Sequence, residues 1–231
     1  MWGAAWVLGM TAVVSAGPNS ERIDSMQKAW AEVDAYCSDF VLGFHGGSGS
    51  ALSMGKSCWE KSGRIRTDTR STLGDIVEIR SERELWYYNP AQPVVLHVTA
   101  SQDFGVDTRQ VGRGVGELVD LVSSSPDVRQ MPSAEVDGRE TWLFRVPKDS
   151  DTEVIVFVDA RSRLPVALEL RQGGHAVMSY GFMNLKTNPA LPASFFSIEA
   201  LPDHQVVKLD LDPRYSSPED LARKLSGWRS Q

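Results

Sequence analysis

The sequence predicts a mainly β domain, an antiparallel arrangement of about eleven strands accompanied by a few short helices. Three observations carry this. Between Lys61 and Pro90 three runs follow one another as half-buried strands. Ile65, Thr67 and Thr69 alternate with Arg64, Arg66, Asp68 and Arg70, Val77 and Ile79 alternate with Glu78 and Arg80, and Leu85-Trp86-Tyr87-Tyr88 stops at Asn89-Pro90. Turn-forming residues separate them at Ser71–Gly74 and Ser81–Glu84. Four further apolar runs then follow closely between Arg139 and Phe182, whereas helical spacing is confined to short segments.

The first of those segments follows an apolar stretch, Trp2–Ala16, that is too short to span a bilayer and ends in Val14-Ser15-Ala16. A small-residue ending of this kind predicts a cleaved signal peptide over 1–16; the absence of Lys and Arg before it leaves a membrane-anchoring segment as the alternative. Asn19–Asp34 then places Ile23, Met26, Trp30 and Val33 at helical spacing behind the N-cap candidates Asn19 and Ser20. Tyr36–His45 and Met54–Glu60 read as two strands joined by Gly46-Gly47-Ser48-Gly49-Ser50. In a regular hairpin centred on Gly47-Ser48, positions whose numbers add to 95 face each other. Cys37 and Cys58 are such a pair, which points to a disulfide, with two buried free thiols as the alternative.

Further along, Pro93–Thr99 is expected to pair with Leu85–Tyr88, after which Gln102–Val111 is irregular. Val115, Leu118, Val119 and Val122 predict a second short helix; Gly112, Gly114 and Gly116 at its start fit either a lid or an ordinary crossover. Arg139–Val146, Glu153–Asp159, Leu164–Leu170 and His175–Phe182 predict a four-stranded meander, and Gln205–Leu209 a last strand. Residues 17–209 thus form one β-rich domain. Beyond it, 210–231 predicts a C-terminal amphipathic helix that starts at Ser217-Pro218-Glu219-Asp220 and aligns Leu221, Leu225 and Trp228.

Composition excludes several classes. Hydrophobic residues at 42% and charged residues at 23% are ordinary for a globular chain, and a net charge of −6 without a Lys/Arg cluster argues against a nucleic-acid partner. No nucleophile elbow, zinc-protease helix, paired Cys-x-x-Cys or P-loop occurs, and Gly112-Arg113-Gly114-Val115-Gly116 lacks the strand and Lys of a phosphate loop. His45, His97, His175 and His204 are scattered without metal-ligand spacing, and Asp210 and Asp212 read as solvated acids. The expectation is a binding protein, not an enzyme, with no cofactor and no metal.

Lys61-Ser62-Gly63-Arg64-Ile65-Arg66, followed by an acidic strand and Leu85-Trp86-Tyr87-Tyr88-Asn89-Pro90, resembles the R-P-G-[basic]-[apolar]-R segment of the LolA-like periplasmic lipoprotein carriers. Asn184–Phe196, with its Asn, Pro and Phe residues, resembles the family's ending. The resemblance implies an incomplete antiparallel β-barrel whose open side is covered by helices. Its apolar cavity would hold the acyl chains of a lipid or lipoprotein on the way to the outer membrane. It implies a monomer in the periplasm, served by an inner-membrane releasing complex and an outer-membrane acceptor. Lys61 stands where the family has an Arg that acts in ligand retention and release, and Ser62 where it has Pro. Ile65, Trp86, Tyr88, Trp142, Phe144, Met178 and Phe182 are the candidate cavity residues beside it. In a closed, filled barrel the same aromatic residues are simply core. An envelope sensor or a protein-interaction module on the same barrel is the alternative function.

Overall fold

The computed structural model describes residues 19–46, 49–71, 74–81, 83–89, 94–100, 114–197 and 205–211. The expected signal peptide, the stretch 102–111 with Gly112, and the C-terminal helix from Ser217 lie outside these residues.

A helix, α1 (Asn19–Ala31), leads into a meander of six strands: β1 (Ala35–Gly46), β2 (Gly49–Glu60), β3 (Ile65–Ser71), β4 (Gly74–Arg80), β5 (Glu84–Tyr88) and β6 (Val94–Ala100). The helix α2 (Val115–Ser124) crosses to a second meander, β7 (Arg129–Val136), β8 (Arg139–Pro147), β9 (Thr152–Asp159), β10 (Pro165–Gln172) and β11 (His175–Thr187). A 3-10 turn at Ala193–Phe196 and a final strand, β12 (Gln205–Leu211), follow. β11 returns to pair with β1, so the twelve strands of the described residues form one sheet in the order β12-β6-β5-β4-β3-β2-β1-β11-β10-β9-β8-β7. β12 and β7 are its two edges; the sheet is an incomplete barrel, antiparallel except that β12 joins β6 in parallel.

The expected eleven strands omit β7. Its sequence contains Pro132, which argues against a strand; β7 is an edge, and its register with β8 shifts between Met131 and Ala134, where Pro132 sits without a ladder bond to lose. Asp137 and Gly138, with φ of 50° and 74°, close a two-residue loop between Val136 and Arg139, a turn for which Asp-Gly is a preferred sequence.

The β1–β2 hairpin keeps the expected register from Ala35↔Glu60 to Gly46↔Gly49, and Cys37 is disulfide-bonded to Cys58. Its second strand starts five residues earlier than expected, at Gly49, because Gly and Ser residues continue the ladder to the tip once the pairing is set.

The core lies between the two helices and one face of β8–β11. Met26 and Val33 from the α1 region and Val115, Leu118, Val119 and Val122 of α2 bury against Phe144, Val146, Val154, Val156, Val158, Leu168 and Phe182. On the opposite face Leu143, Ile155 and Phe157 pack with Met131, Val136 and Val166. β9 is therefore covered on both sides, which is why Val154–Val158 is apolar without alternation. Gly116 allows the two helices to meet: a Cβ there would clash with the Trp30 ring.

Candidate functional site

Cross-strand pairing sets which residues share the helix-covered, concave face. Tyr36 pairs with Trp59, Trp59 with Ile65, Ile65 with Arg80, Arg80 with Leu85 and Leu85 with Val98. The next row on that face is Ser38, Ser57, Thr67, Glu78, Tyr87 and Leu96, and the one after it Phe40, Gly55, Thr69 and Ile76. A row that is aromatic and aliphatic apart from Arg80, a row rich in hydroxyls that also carries Glu78, and a row of Phe40, Gly55, Thr69 and Ile76 therefore run side by side. Thr67, Thr69 and Ile76 are half-buried and Tyr87 is exposed, so this part of the concavity is a trough, in contrast to the filled half over β8–β11.

One end of the trough is closed by aromatic rings. Tyr36 is stacked on Trp59 with centroids 5.7 Å apart, and Trp30 lies 5.0 Å from Trp59. The Tyr36 hydroxyl accepts a hydrogen bond from the Val115 amide at 3.4 Å, which ties the start of α2 to the sheet. Burial pushes the Tyr36 phenol far above its ordinary range; the Val115 bond and the Arg80 guanidinium oppose the shift, and the Glu117 carboxylate adds to it. A charged pair from α2 and β4 thus borders this hydroxyl. Along β1 and β11 the wall continues with Phe40 stacked on Tyr180 at 5.5 Å and Tyr180 edge-on to Phe182 at 4.8 Å. Burial raises the Tyr180 phenol as well. Gly55 is required under this wall, because a Cβ would meet the Phe40 ring and the Asp68 carbonyl.

The middle row is polar in a buried setting. Ser57 Oγ and Thr67 Oγ1 are 3.4 Å apart, and Ser38 Oγ is buried with no hydrogen-bond partner among the described residues. A ligand or water with hydrogen-bonding capacity satisfies such a row; a plain hydrocarbon does not.

The residues singled out from sequence are distributed unevenly over this geometry. Ile65, Met178 and Phe182 lie on the concave face, Ile65 in the trough and the other two on the β11 wall. Phe144 is on that face but fully buried beneath the helices, and Trp142, half-buried at the margin of the same core, carries the Arg22 guanidinium 5.0 Å above its ring. Trp86 and Tyr88 point to the other face of the sheet. There Trp86 stacks on His97 at 3.7 Å and pairs with Ile79, while Tyr88 pairs with Val77 and Val95. Their neighbours Leu85 and Tyr87 take the concave positions. Every residue from Leu85 to Tyr88 is apolar or aromatic, so alternation leaves the choice of face open; the register to Tyr36 decides it.

Lys61 stands in the turn after β2, its ammonium 2.9 Å from Asp34 with both side chains largely exposed. The same corner is clamped by Asn188, whose carbonyl oxygen accepts from the Asp34 and Ala35 amides at 2.7 and 3.2 Å and whose amide donates to Glu32 at 2.9 Å. The Asn-Pro ending thereby fastens α1 to the sheet. Gly63 supplies the positive φ of 85° that the Lys61–Arg64 turn needs. Ser62 and Arg64 both donate to the Glu60 carboxylate; Arg64 is the larger of the two influences that hold it below its ordinary range. Because the folded value is depressed, this contribution to stability is full above the unfolded value of about 4.3 and is lost as pH falls through the folded one. Glu60→Gln is expected to remove that part of the acid-side stability slope, measured by denaturation between about pH 3 and 6. An unchanged slope would contradict the pairing. On the outer face Arg66 donates to the Phe195 carbonyl at 3.0 Å, and the Arg64 and Arg66 guanidiniums lie over the Phe196 and Phe195 rings.

No helix among the described residues is long and apolar enough to cross a membrane, and no group of three or more metal-ligating side chains occurs among them. No protein-family profile matches the chain, and no curated protein matches it significantly in sequence. Solved structures do. An uncharacterized conserved protein from Thermus thermophilus is 11% identical, with 82% of this chain and 98% of that chain covered and a TM-score of 0.55. The Pseudomonas aeruginosa MucA/MucB complex matches at 18% identity over 83% of this chain, a span of only 64% of the matched chain, with a TM-score of 0.47. A LolA superfamily protein from Nitrosomonas europaea matches at 10% identity over 80% of this chain and 100% of that chain, with a TM-score of 0.40. At such identities the likeness is one of fold, and the fold shared with the Thermus thermophilus protein is an incomplete antiparallel barrel with helices on its concave face.

Proposed function

We propose that this protein is an exported, non-enzymatic carrier that holds an acylated amphiphile, a lipid or the acylated end of a lipoprotein, in the trough over β2–β5. The observation that carries the reading is the three-row floor. The half-buried Trp59 and Ile65 on one side and Ile76 on the other can take hydrocarbon at about 0.8 kcal/mol per buried CH₂, and the Thr67 hydroxyl between them can meet an ester or amide group. The sequence resemblance to the lipoprotein carriers points the same way. The Cys37–Cys58 bond supports an oxidising compartment, consistent with a cleaved signal over 1–16 and a periplasmic location. Lys61, exposed at the edge of the aromatic end, is assigned to ligand release together with Asp34. An inner-membrane releasing complex and an outer-membrane acceptor are the partners this role requires of a monomeric carrier.

Native mass spectrometry of protein taken from the periplasm without detergent, followed by lipid extraction, is expected to find an acyl-bearing ligand. Thr69→Trp, which places an indole on the trough floor beside Gly55 and Ile76, is expected to lower occupancy about tenfold or more and to change stability by less than about 1 kcal/mol. Protein that is repeatedly empty would sink the carrier reading and favour a sensor or interaction module on the same barrel.

A further inference from the structure

The concave face of β1 becomes more open toward the first hairpin. Phe40 is 4% exposed, Leu42 is half-buried and Phe44 is 46% exposed. Across β11 these side chains pair with Phe182, Tyr180 and Met178, and across β2 with Gly55, Ser53 and Ala51. A tall apolar wall on β1 and β11 therefore stands beside a strip of small residues on β2, and the two make a lane that opens at Phe44. Its inner end is the row of Ser38, Ser57 and Thr67. That row has an outlet of its own, because it passes from buried Ser38 and Ser57 through half-buried Thr67 to Glu78 and the exposed Tyr87.

We propose that the lane selects a full-length membrane acyl chain, held with its ester or amide at Thr67, its headgroup leaving over Glu78 and Tyr87, and its methyl end at Phe44. This rests on the carrier reading and adds the direction of the chain and the length it must have. The length follows from strand geometry: three steps of two residues separate the Thr67 row from the Phe44 row, about 20 Å at a rise of ~3.3 Å per residue. A membrane acyl chain spans half of a hydrocarbon core ~30 Å thick, about 15 Å in a fluid leaflet and more when extended. Such a chain reaches the last row, whereas one half as long ends before the row of Leu42. The direction follows from polarity. A headgroup at Phe44 with the chain running inward would lay hydrocarbon across the Thr67 hydroxyl and the Glu78 carboxylate, which carries a desolvation cost.

Competition for the full, disulfide-intact protein among lysophosphatidylcholines of ten, twelve, fourteen and sixteen carbons, read by native mass spectrometry, tests it. Wild-type occupancy is expected to rise up to about tenfold with each two CH₂ added. Phe44→Ser is expected to leave the step from ten to twelve carbons as it is and to cut the step from fourteen to sixteen to about twofold or less, with Phe44→Leu restoring most of it. Wild-type protein that binds all four lengths equally, or Phe44→Ser protein whose steps match those of the wild type or shrink at every length alike, would overturn the assignment of the lane and leave the carrier reading standing. Wild-type protein that takes up none of the four would overturn the carrier reading, and this inference with it.

Discussion

Phe144→Ala is expected to lower the free energy of unfolding by about 3–5 kcal/mol, read as a lower midpoint in guanidinium denaturation with an unchanged slope. Phe144 is fully buried, pairs with Val156 across the ladder and with Gln130 on the other side, and sits in the cluster that joins β8 to both helices. Removing its ring takes away the transfer contribution and leaves a void that the neighbouring valines, stiff at χ1, are poorly able to fill. The result bears on function as well as stability. A loss of this size identifies Phe144 as packing that fixes α2 over the sheet. A loss below about 1 kcal/mol would mean that the helix-covered half yields easily, and that the ligand space extends beneath the helices.

Cys37→Ala/Cys58→Ala is expected to cost about 3 kcal/mol, the chain-entropy value for a loop of this length, and reduction of the wild-type bond should reproduce it. The bond lies beside the row in which Tyr36 meets Trp59, so it pins the register of the hairpin next to the aromatic end of the trough. A one-residue slip of β2 against β1 would move Trp59, Ser57 and Gly55 to the outer face together. Near-ultraviolet circular dichroism of the Trp30–Tyr36–Trp59 cluster is therefore expected to weaken along with stability. Full stability in the double variant would show that packing alone sets the register.

The trough also explains why hydroxyl residues occupy strand positions usually given to aliphatic ones. Ser38, Ser57 and Thr67 lie on the face that the helices cover further along the sheet, and a filled core would leave their oxygens without partners. Where the concavity is open, half-buried Thr67 reaches solvent or ligand and partners the buried Ser57, whereas Ser38 is shut away with no partner among the described residues.

Much of this architecture was legible in the chain. Two-residue alternation in β3 and β4, the Gly-Ser tip of the first hairpin and the Gly173-Gly174 turn determined strands and turns locally, because each depends on backbone preferences within a few residues. The hairpin centre also determined the Cys37–Cys58 pairing, since register follows arithmetically from a two-residue loop. β7 was hidden because Pro132 reads as a strand breaker unless the strand is known to be an edge, and edge position is a property of the whole sheet. The faces of Trp86 and Tyr88 were likewise hidden. In a strand that is apolar on both sides, only pairing carried across β4, β3 and β2 to Tyr36 tells inside from outside. What the sequence determined by itself was therefore the local periodicity and the hairpin register. The tertiary structure alone decided which aromatic rings are core, which line the trough and which face outward, because burial is settled by elements far apart in the chain.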